Sequence, residues 1–223
     1  MPRNGTGTPY VFPRELTDIS DSVREAPEPV VPSFSEPYSL RLIDPDSADP
    51  ETLAEWMARP HLLETWEQPW SADRRRIDSR AQLAGTYSRP CILGFDFAAV
   101  DRPDLGRRDV AYVELYRAAK DEIAKLYEAD ALDMGFHIAT ADPSLVGRGV
   151  MSTWIGRLAT EVWRAEPQCR RLMCDPDYRN LPMRKALQKN GWSHLGEFDI
   201  RPDRRISLHT LPREPGDMPA LRR

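Results

Sequence analysis

The sequence predicts a single α/β domain, in which a mixed and mostly antiparallel central sheet is flanked by helices. A chain of 223 residues has the size of one ordinary domain. Apolar residues make up 40% and charged residues 30%, a balance typical of a globular protein with a buried core. Runs of β-branched and aromatic residues alternate with helical patterns along the chain, which is typical of one sheet covered by helices.

The composition also limits the function. The formal net charge is −4, so we expect no bulk attraction to nucleic acid or to an anionic membrane. No apolar run reaches the roughly 18 residues of a membrane span, and the first residues lack the apolar segment of a secretory signal. The cysteines, Cys91, Cys169 and Cys174, form no C-x-x-C pair, which argues against a zinc site or a disulfide framework. We therefore expect a cytoplasmic protein without a bound metal.

The two ends of the chain differ from its middle. Residues 1–36 are rich in proline, serine and acidic residues and show little periodicity, so we expect a tail with little regular structure. Residues 212–223 have the same character. The folded domain is expected to span residues 37–211.

The first half of this domain begins with a strand at residues 38–43, where apolar and polar residues alternate. Asp49, Pro50 and Glu51 supply the cap, the first-turn proline and the acid of a short helix that ends near Met57. The elements expected next are a charged helix at 72–86, a hairpin of strands 90–97 and 110–117, and a short helix at 118–130.

The second half contains the clearest helix of the chain, which begins at Val150 and carries one continuous apolar face. A strand at 134–141 and a glycine loop precede this helix. After it we expect a strand at 170–175, a helix from Asn180 to Asn190-Gly191, and two strands at 193–200 and 204–211.

The glycine loop has the composition of an anion site. In "PSLVGRGVM", Gly147 and Gly149 flank Arg148, and a helix begins at once. Amides at the start of a helix are unpaired, and the helix dipole favours an anion there. Glycines allow a phosphate to approach the backbone closely, and Arg148 adds positive charge. A tight strand-to-helix turn without a ligand is the alternative interpretation.

With its flanking strand and the later stretch "NLPMRKALQKNGW", this loop resembles the GCN5-related N-acetyltransferases over residues from about 38 to 211. The resemblance implies a GNAT-like domain that uses acetyl-CoA or a longer acyl-CoA. The implied cofactor-binding residues are Ile138 on the strand, Val146, Gly147, Arg148, Gly149 and Val150 at the loop, and Asn180. Ser144 departs from the family's usual glutamine or arginine. Leu187 stands where many members carry the tyrosine that protonates the departing thiolate, so another group must do so or the thiolate must leave unaided.

Four further blocks, "LAEWMARPHLLETWEQPW", "YVELYRAAKD", "GFHIATAD" and "MCDPDYRN", resemble the acyltransferases of hydroxamate siderophore biosynthesis. Those enzymes acylate the side-chain amine of lysine, N6-hydroxylysine or a related diamine. The resemblance implies that His137 and Asp175 form the catalytic pair. It also implies a small-molecule amine or hydroxylamine acceptor, and it leaves an acyl carrier protein open as the donor.

The chemistry of His137 and Asp175 fits that role. A histidine with an unperturbed pKa of about 6.5 suits proton removal near neutral pH, and a carboxylate behind it would fix its tautomer. The alternatives are a strand histidine that is bonded to a backbone carbonyl and an Asp-Pro turn element.

The acceptor side is expected to hold His61, Trp66, Glu114, Lys120 and Asp121. The carboxylates would bind an amine and the lysine would bind the carboxylate of a free amino acid. Aromatic packing around His61 and Trp66, and a solvated charged helix around Lys120, are the alternatives.

The sequence therefore predicts an acyl-CoA-dependent N-acyltransferase of siderophore assembly, with hydroxylated diamines preferred over plain lysine because they arrive mostly neutral. Two alternatives stay open. An aminoglycoside N-acetyltransferase would need a strongly acidic pocket for its polycation, and a non-catalytic acyl-CoA-binding module would not depend on His137.

Overall fold

The computed structural model describes residues 10, 12–66, 68–100, 102–145 and 147–222. Each of the seven predicted strands is found within three residues of its expected bounds. The strands are β1 (Tyr38–Leu42), β2 (Ser88–Asp96), β3 (Arg107–Arg117), β4 (Met134–Thr140), β5 (Arg171–Cys174), β6 (Ser193–Arg201) and β7 (Arg204–Pro212). The helices are α1 (Asp21–Arg24), α2 (Asp49–Met57), α3 (Pro60–Trp66), α4 (Ala72–Ala84), α5 (Val150–Ala165) and α6 (Leu181–Lys189).

The strands form one sheet in the order β1-β2-β3-β4-β5-β7-β6, which confirms the predicted mixed and mostly antiparallel architecture. Neighbouring strands are antiparallel except for β4 and β5, which run parallel. These two strands pair only at Met134 with Leu172 and at Gly135 with Met173. Beyond those pairs they diverge, and the sheet opens on the carboxyl side of both strands.

Helices cover the two faces of this sheet. On one face α5 buries Trp154, Ile155 and Leu158 against the sheet, as its predicted apolar stripe requires. On the other face α2 and α3 pack Leu53, Trp56 and other apolar side chains against β2, β3 and β4. Asn180 caps α6 as predicted, because its Oδ1 accepts from the Met183 N–H at 3.1 Å.

The predicted helix at 118–130 is wrong. The chain forms two 3-10 turns there, Ala118–Lys120 and Glu122–Lys125, and Asp121 between them is extended. An amphipathic helix needs one polar face in water, but Ala118, Lys120 and Asp121 are all buried. Helix α3, which the sequence did not predict, begins directly at Pro60, a favourable first helical position.

The described part of the N-terminal segment, residues 10 and 12–36, lies against the domain. Around Glu15 it forms a short antiparallel bridge with Asp121: Leu16 N donates to Lys120 O at 2.8 Å, and Glu122 N donates to Arg14 O at 2.9 Å. Further along, the buried Arg117 donates to the carbonyls of Pro27 and Glu28. Apart from α1, the segment is therefore held by backbone and side-chain hydrogen bonds rather than by regular structure.

The three cysteines are free and buried. Burial raises the pKa of Cys91 and of Cys169 to about 12. In the described part of the chain, no helix has the length and apolar character that crossing a bilayer requires.

Candidate active site

The divergence of β4 and β5 opens a cavity of about 100 Å³. Side chains from the N-terminal segment, the end of α3 and the chain after it, four strands and α6 surround it. The residues described around it are Arg14, Trp66, Gln68, Glu114, Phe136, His137, Ile138, Cys174, Asp175, Pro176, Asp177, Asn180, Met183 and Arg204.

His137 lies between two carboxylates in this cavity. Its Nε2 is 3.0 Å from Asp175 Oδ1, and its Nδ1 is 3.3 Å from Glu114 Oε2. Asp175 is 1% exposed, whereas Glu114 and His137 keep 17% and 13% of their side-chain surface accessible. Asp175 therefore provides a fixed partner from inside the protein, and Glu114 reaches His137 from the accessible side.

Strand alternation explains how these side chains meet. Glu114 pairs directly with His137 across β3 and β4, and Tyr116 pairs with Gly135 two residues away on the same face. The Tyr116 ring stacks on the imidazole at 4.6 Å between centroids, and its hydroxyl donates to Asp175 Oδ1 at 2.7 Å. Tyr116 therefore fixes both members of the predicted pair.

Gly135 makes room for that tyrosine. A Cβ at Gly135 would overlap the Tyr116 ring. We expect Gly135→Ala to destabilise the protein by about 1–3 kcal/mol, the usual cost of overpacking, and to lower kcat because Tyr116 is displaced from His137 and Asp175. Denaturant unfolding and steady-state kinetics measure the two effects.

Gly216→Ala is the matched control, because a Cβ there meets no described atom within 4 Å. Adding Tyr116→Ala to Gly135→Ala should make the two losses non-additive, since the second change removes the atoms that clash. Additive losses, or a Gly135→Ala protein as stable as wild type, would contradict the close packing.

The charges around His137 determine its protonation. Burial alone lowers the pKa of His137, and the charge of Arg14 acts in the same direction, but Asp175 and Glu114 outweigh both and raise it above its ordinary value. Burial raises the pKa of Asp175, but Arg14, His137 and Arg204 together hold it well below its usual range. Asp175 is thus ionised throughout the physiological pH range.

The predicted acceptor residues fall into two groups. Trp66 and Glu114 line the cavity, and the Trp66 ring meets the His137 ring edge-on at 6.1 Å between centroids. The residues described around the cavity do not include His61, Lys120 or Asp121. His61 instead lies with its Nε2 2.9 Å from Thr140 O at the end of β4.

Lys120 and Asp121 hold the N-terminal segment in place instead of facing an acceptor. The Lys120 ammonium is buried and donates to Ala26 O and to Thr86 Oγ1, both at 2.7 Å. Asp121 accepts from Arg14 and from the Tyr87 hydroxyl. The Asp121 carboxylate is paired with Arg14 and the Lys120 ammonium donates to neutral oxygens, because the N-terminal segment covers this part of the chain.

The glycine loop has the conformation that its composition requires. Gly147 and Gly149 have φ values of 78° and 86°, and a Cβ on either would meet no described atom within 4 Å. Gly149 is the N-cap of α5 and offers no side chain to the first amides of the helix. The open surface and the uncapped helix start therefore fit a phosphate group. Val146 lies outside the described residues.

A cavity of about 810 Å³ adjoins Gly149 and Val150. Its wall combines the aromatic rings of Tyr38, Phe95 and Phe97 with a set of positive side chains. The arginines that line it are Arg59, Arg102, Arg108, Arg148 and Arg157. Positive charge is therefore concentrated next to the start of α5, where an anionic ligand would gain most from it.

The other predicted donor-side residues are placed as follows. Ile138 is half-buried, lines the smaller cavity and packs against the core on the α5 face. Asn180 also lines that cavity while it caps α6. Leu187, at the position where the resemblance would place a tyrosine, is fully buried in the core, and its side chain has no proton to donate.

Arg14, Tyr116, Gly135 and Arg204 are the site residues that sequence reasoning missed. Tyr116 had a signal, because it follows Glu114 by two residues in a strand and must share its face. Arg14 had none, because it lies in a segment whose composition indicates a tail. Its NH2 group donates to Asp175 Oδ2 at 2.8 Å, and that of Arg204 lies 3.4 Å from the same oxygen.

The sequence is similar to those of known acyltransferases. A family model for the acetyltransferase (GNAT) domain matches residues 46–200. The lysine N-acyltransferase MbtK of Mycobacterium sp. strain MCS is 48% identical over 209 residues, which cover 94% of this chain and 81% of that protein. The N(6)-hydroxylysine O-acetyltransferase of Escherichia coli is 28% identical over 169 residues, 76% of this chain and 50% of that protein.

A solved structure shares the fold at lower sequence identity. The crystal structure of the aminoglycoside acetyltransferase AAC(6')-Ib with coenzyme A and kanamycin superposes with a TM-score of 0.63 at 21% identity, covering 79% of this chain and 95% of that one. At this identity the similarity concerns the fold alone.

Proposed function

The chain belongs to the GNAT acetyltransferase family and is an acyl-CoA-dependent N-acyltransferase, and on that premise we propose that it acylates the side-chain amine of lysine or N6-hydroxylysine in siderophore biosynthesis. The observation that carries the proposal is the imidazole of His137 held between Asp175 and Glu114 at the mouth of the sheet opening. The identity to a lysine N-acyltransferase over most of the chain supports the choice of acceptor.

His137 is the proposed general base, acting through Nδ1. A neutral imidazole carries one N–H, and the buried carboxylate of Asp175 accepts it from Nε2 at 3.0 Å. The lone pair then lies on Nδ1, which faces Glu114 and the accessible side of the cavity. Glu114, whose other oxygen accepts from Gln82 at 2.5 Å, is the proposed anchor for the acceptor ammonium. The acceptor nitrogen would thus bind next to the base.

The reaction balances with these groups. The ammonium gives one proton to His137 Nδ1, and the free amine attacks the thioester carbonyl to form the C–N bond. The C–S bond then breaks, and the thiolate leaves as thiol after taking a proton. Of the two protons that the nitrogen loses, one leaves with the thiol and the other goes to solvent. Imidazolium at His137 is a proposed source for the first, which would replace the tyrosine that Leu187 excludes.

On the donor side, we propose that the amides of Gly147, Gly149 and Val150 hold the pyrophosphate of the acyl-CoA, while the side chains of Arg148 and the other arginines of the larger cavity add positive charge. Ile138 and Asn180 are proposed to line the path of the pantetheine arm. An acyl carrier protein presents the same pantetheine thioester and is proposed as the alternative donor. The cytoplasm, with its reducing conditions and acyl-CoA, is the proposed location.

The acceptor cavity favours lysine over an aminoglycoside. A site for a polycation needs a clear excess of acidic groups, but Arg14 and Arg204 stand among Glu114, Asp175 and Asp177 around this cavity. We expect kcat/KM for lysine or N6-hydroxylysine to exceed that for kanamycin by at least about a hundredfold, which corresponds to roughly 2.7 kcal/mol of transition-state binding.

Steady-state assays with the three acceptors between pH 6 and pH 9 measure this preference. With lysine the rate should rise with pH, because an amine of pKa about 10.4 is protonated at neutral pH, and with N6-hydroxylysine it should level off once His137 is neutral. A preference for kanamycin would reject the lysine assignment. Equal rates with lysine and N6-hydroxylysine at pH 7 would reject a preference for the hydroxylated amine.

A further inference from the structure

Arg14 joins the N-terminal segment to the proposed catalytic pair. Its NH2 group donates to Asp121 Oδ1 at 2.9 Å and to Asp175 Oδ2 at 2.8 Å, and its Nε donates to Asp121 Oδ2 at 3.0 Å. The guanidinium also lies over the Tyr116 ring, 5.7 Å from its centroid. Its side chain is 14% exposed, so these contacts are shielded from water. A single side chain thus touches the partner of His137 and the residue that stacks on it.

We propose that Arg14 is a positioning residue of the acyl transfer reaction, which clamps Asp175 against His137 and places a positive charge beside the carboxylates that flank the imidazole. The inference rests on the proposed role of His137 as general base. It assigns a function in catalysis to a segment that carries no other described part of the site.

The clamp follows from the different partners of the two carboxylate oxygens of Asp175. Oδ1 accepts from His137 and from the Tyr116 hydroxyl, while Oδ2 accepts from Arg14 and, at 3.4 Å, from Arg204. The contact from Arg204 is longer and its side chain is more exposed, so Arg14 is the stronger partner of Oδ2. Without Arg14 the carboxylate is free to rotate away from Nε2, and the imidazole loses the partner that fixes its tautomer.

The charge effect follows from what surrounds His137. Glu114 and Tyr116 face it from β3, Cys174 and Asp175 from the end of β5, Arg14 from the N-terminal segment and Arg204 from β7. Two carboxylates favour the imidazolium, and Arg14 lowers the pKa of His137 against them. Removal of Arg14 therefore raises the pKa of His137 further, so that a larger fraction of the base is protonated at neutral pH.

The test compares Arg14→Gln with wild type in the pH dependence of kcat/KM, using lysine and acetyl-CoA. We expect the acid limb of the profile to move to higher pH, so that the loss of activity is several-fold greater at pH 6.5 than at pH 9. Arg14→Lys keeps the charge but not the two-carboxylate bridge, so its acid limb should stay close to wild type while kcat falls. Arg24→Gln, an exposed arginine of the same segment that donates to Ile19 O, is the control.

Without Arg14, Asp121 becomes a buried carboxylate with no positive partner among the described residues, and this could prevent folding. The double variant Arg14→Gln/Asp121→Asn avoids the problem because it also removes the charge of Asp121. NMR titration of the His137 imidazole in each folded variant measures the charge effect without any turnover. A higher midpoint in the variants supports the inference. An unchanged His137 midpoint together with an unchanged acid limb would overturn it. Full activity of His137→Ala would instead reject the general base itself, whatever the imidazole titration shows.

Discussion

Replacing His137 with alanine is expected to lower kcat by a factor on the order of 10²–10⁴, the usual contribution of a general base. The change removes Nδ1, the atom of His137 that faces Glu114, the proposed anchor of the acceptor amine. It leaves the glycine loop and the start of α5 untouched, so the dissociation constant of acetyl-CoA should not change. Single-turnover kinetics and calorimetric titration measure the two quantities separately.

Asp175→Asn extends the same test. The amide keeps the size of the side chain but no longer stabilises the imidazolium, so kcat should fall while acyl-CoA affinity is retained. Because Asp175 raises the pKa of His137, the acid limb of kcat/KM should move to lower pH in this variant. His194→Ala on β6 is a suitable control. Wild-type turnover in both His137→Ala and Asp175→Asn would show that the pair is structural.

Gly149→Val is expected to weaken acyl-CoA binding by about tenfold or more while the protein stays folded. With φ at 86°, the residue is in the left-handed region, which costs an L-residue roughly 1–2 kcal/mol and a β-branched residue more. If the loop changes conformation to relieve this strain, its amides turn away from the proposed pyrophosphate position. A loss of about 1.4 kcal/mol of binding energy corresponds to a tenfold increase in Kd. Calorimetric titration with acetyl-CoA gives the value.

Gly191→Val separates this effect from backbone strain. Gly191 has φ of 81° at the end of α6, and a Cβ there also meets no described atom within 4 Å. The two variants should therefore lose comparable stability, but Gly191→Val should bind acetyl-CoA like wild type. If a folded Gly149→Val protein also binds acetyl-CoA normally, the glycine loop does not hold the pyrophosphate.

Local patterns were sufficient to predict most of the fold. Alternation in β3 and β4 predicts strands whatever lies elsewhere in the chain, and the apolar stripe of α5 predicts a helix on one face of a sheet. The segment at 118–130 failed for a tertiary reason. Its helical composition was overridden by burial on every side, with Asp121 engaged by Arg14 and Tyr87 rather than by water.

The pairing of two site side chains was predicted from a resemblance rather than from local patterns. His137 lies on β4 and Asp175 directly follows the neighbouring β5, and a resemblance in four sequence blocks was enough to suggest their pairing. Lys120 and Asp121 have the appearance of solvated charges in the sequence, and nothing local shows that a distant segment covers them. Arg14 is 161 residues from Asp175 along the chain, so its contact depends on how the N-terminal segment docks.

The burial of all three cysteines determines how the enzyme can be assayed. Each turnover releases a coenzyme thiol, which reacts readily with an aromatic disulfide reagent near neutral pH. Cys91, Cys169 and Cys174 are at most 2% exposed, and burial keeps their thiols protonated at that pH. The folded enzyme should therefore give no background colour, and the same reagent, used without substrate, reports the fraction of molecules that have unfolded.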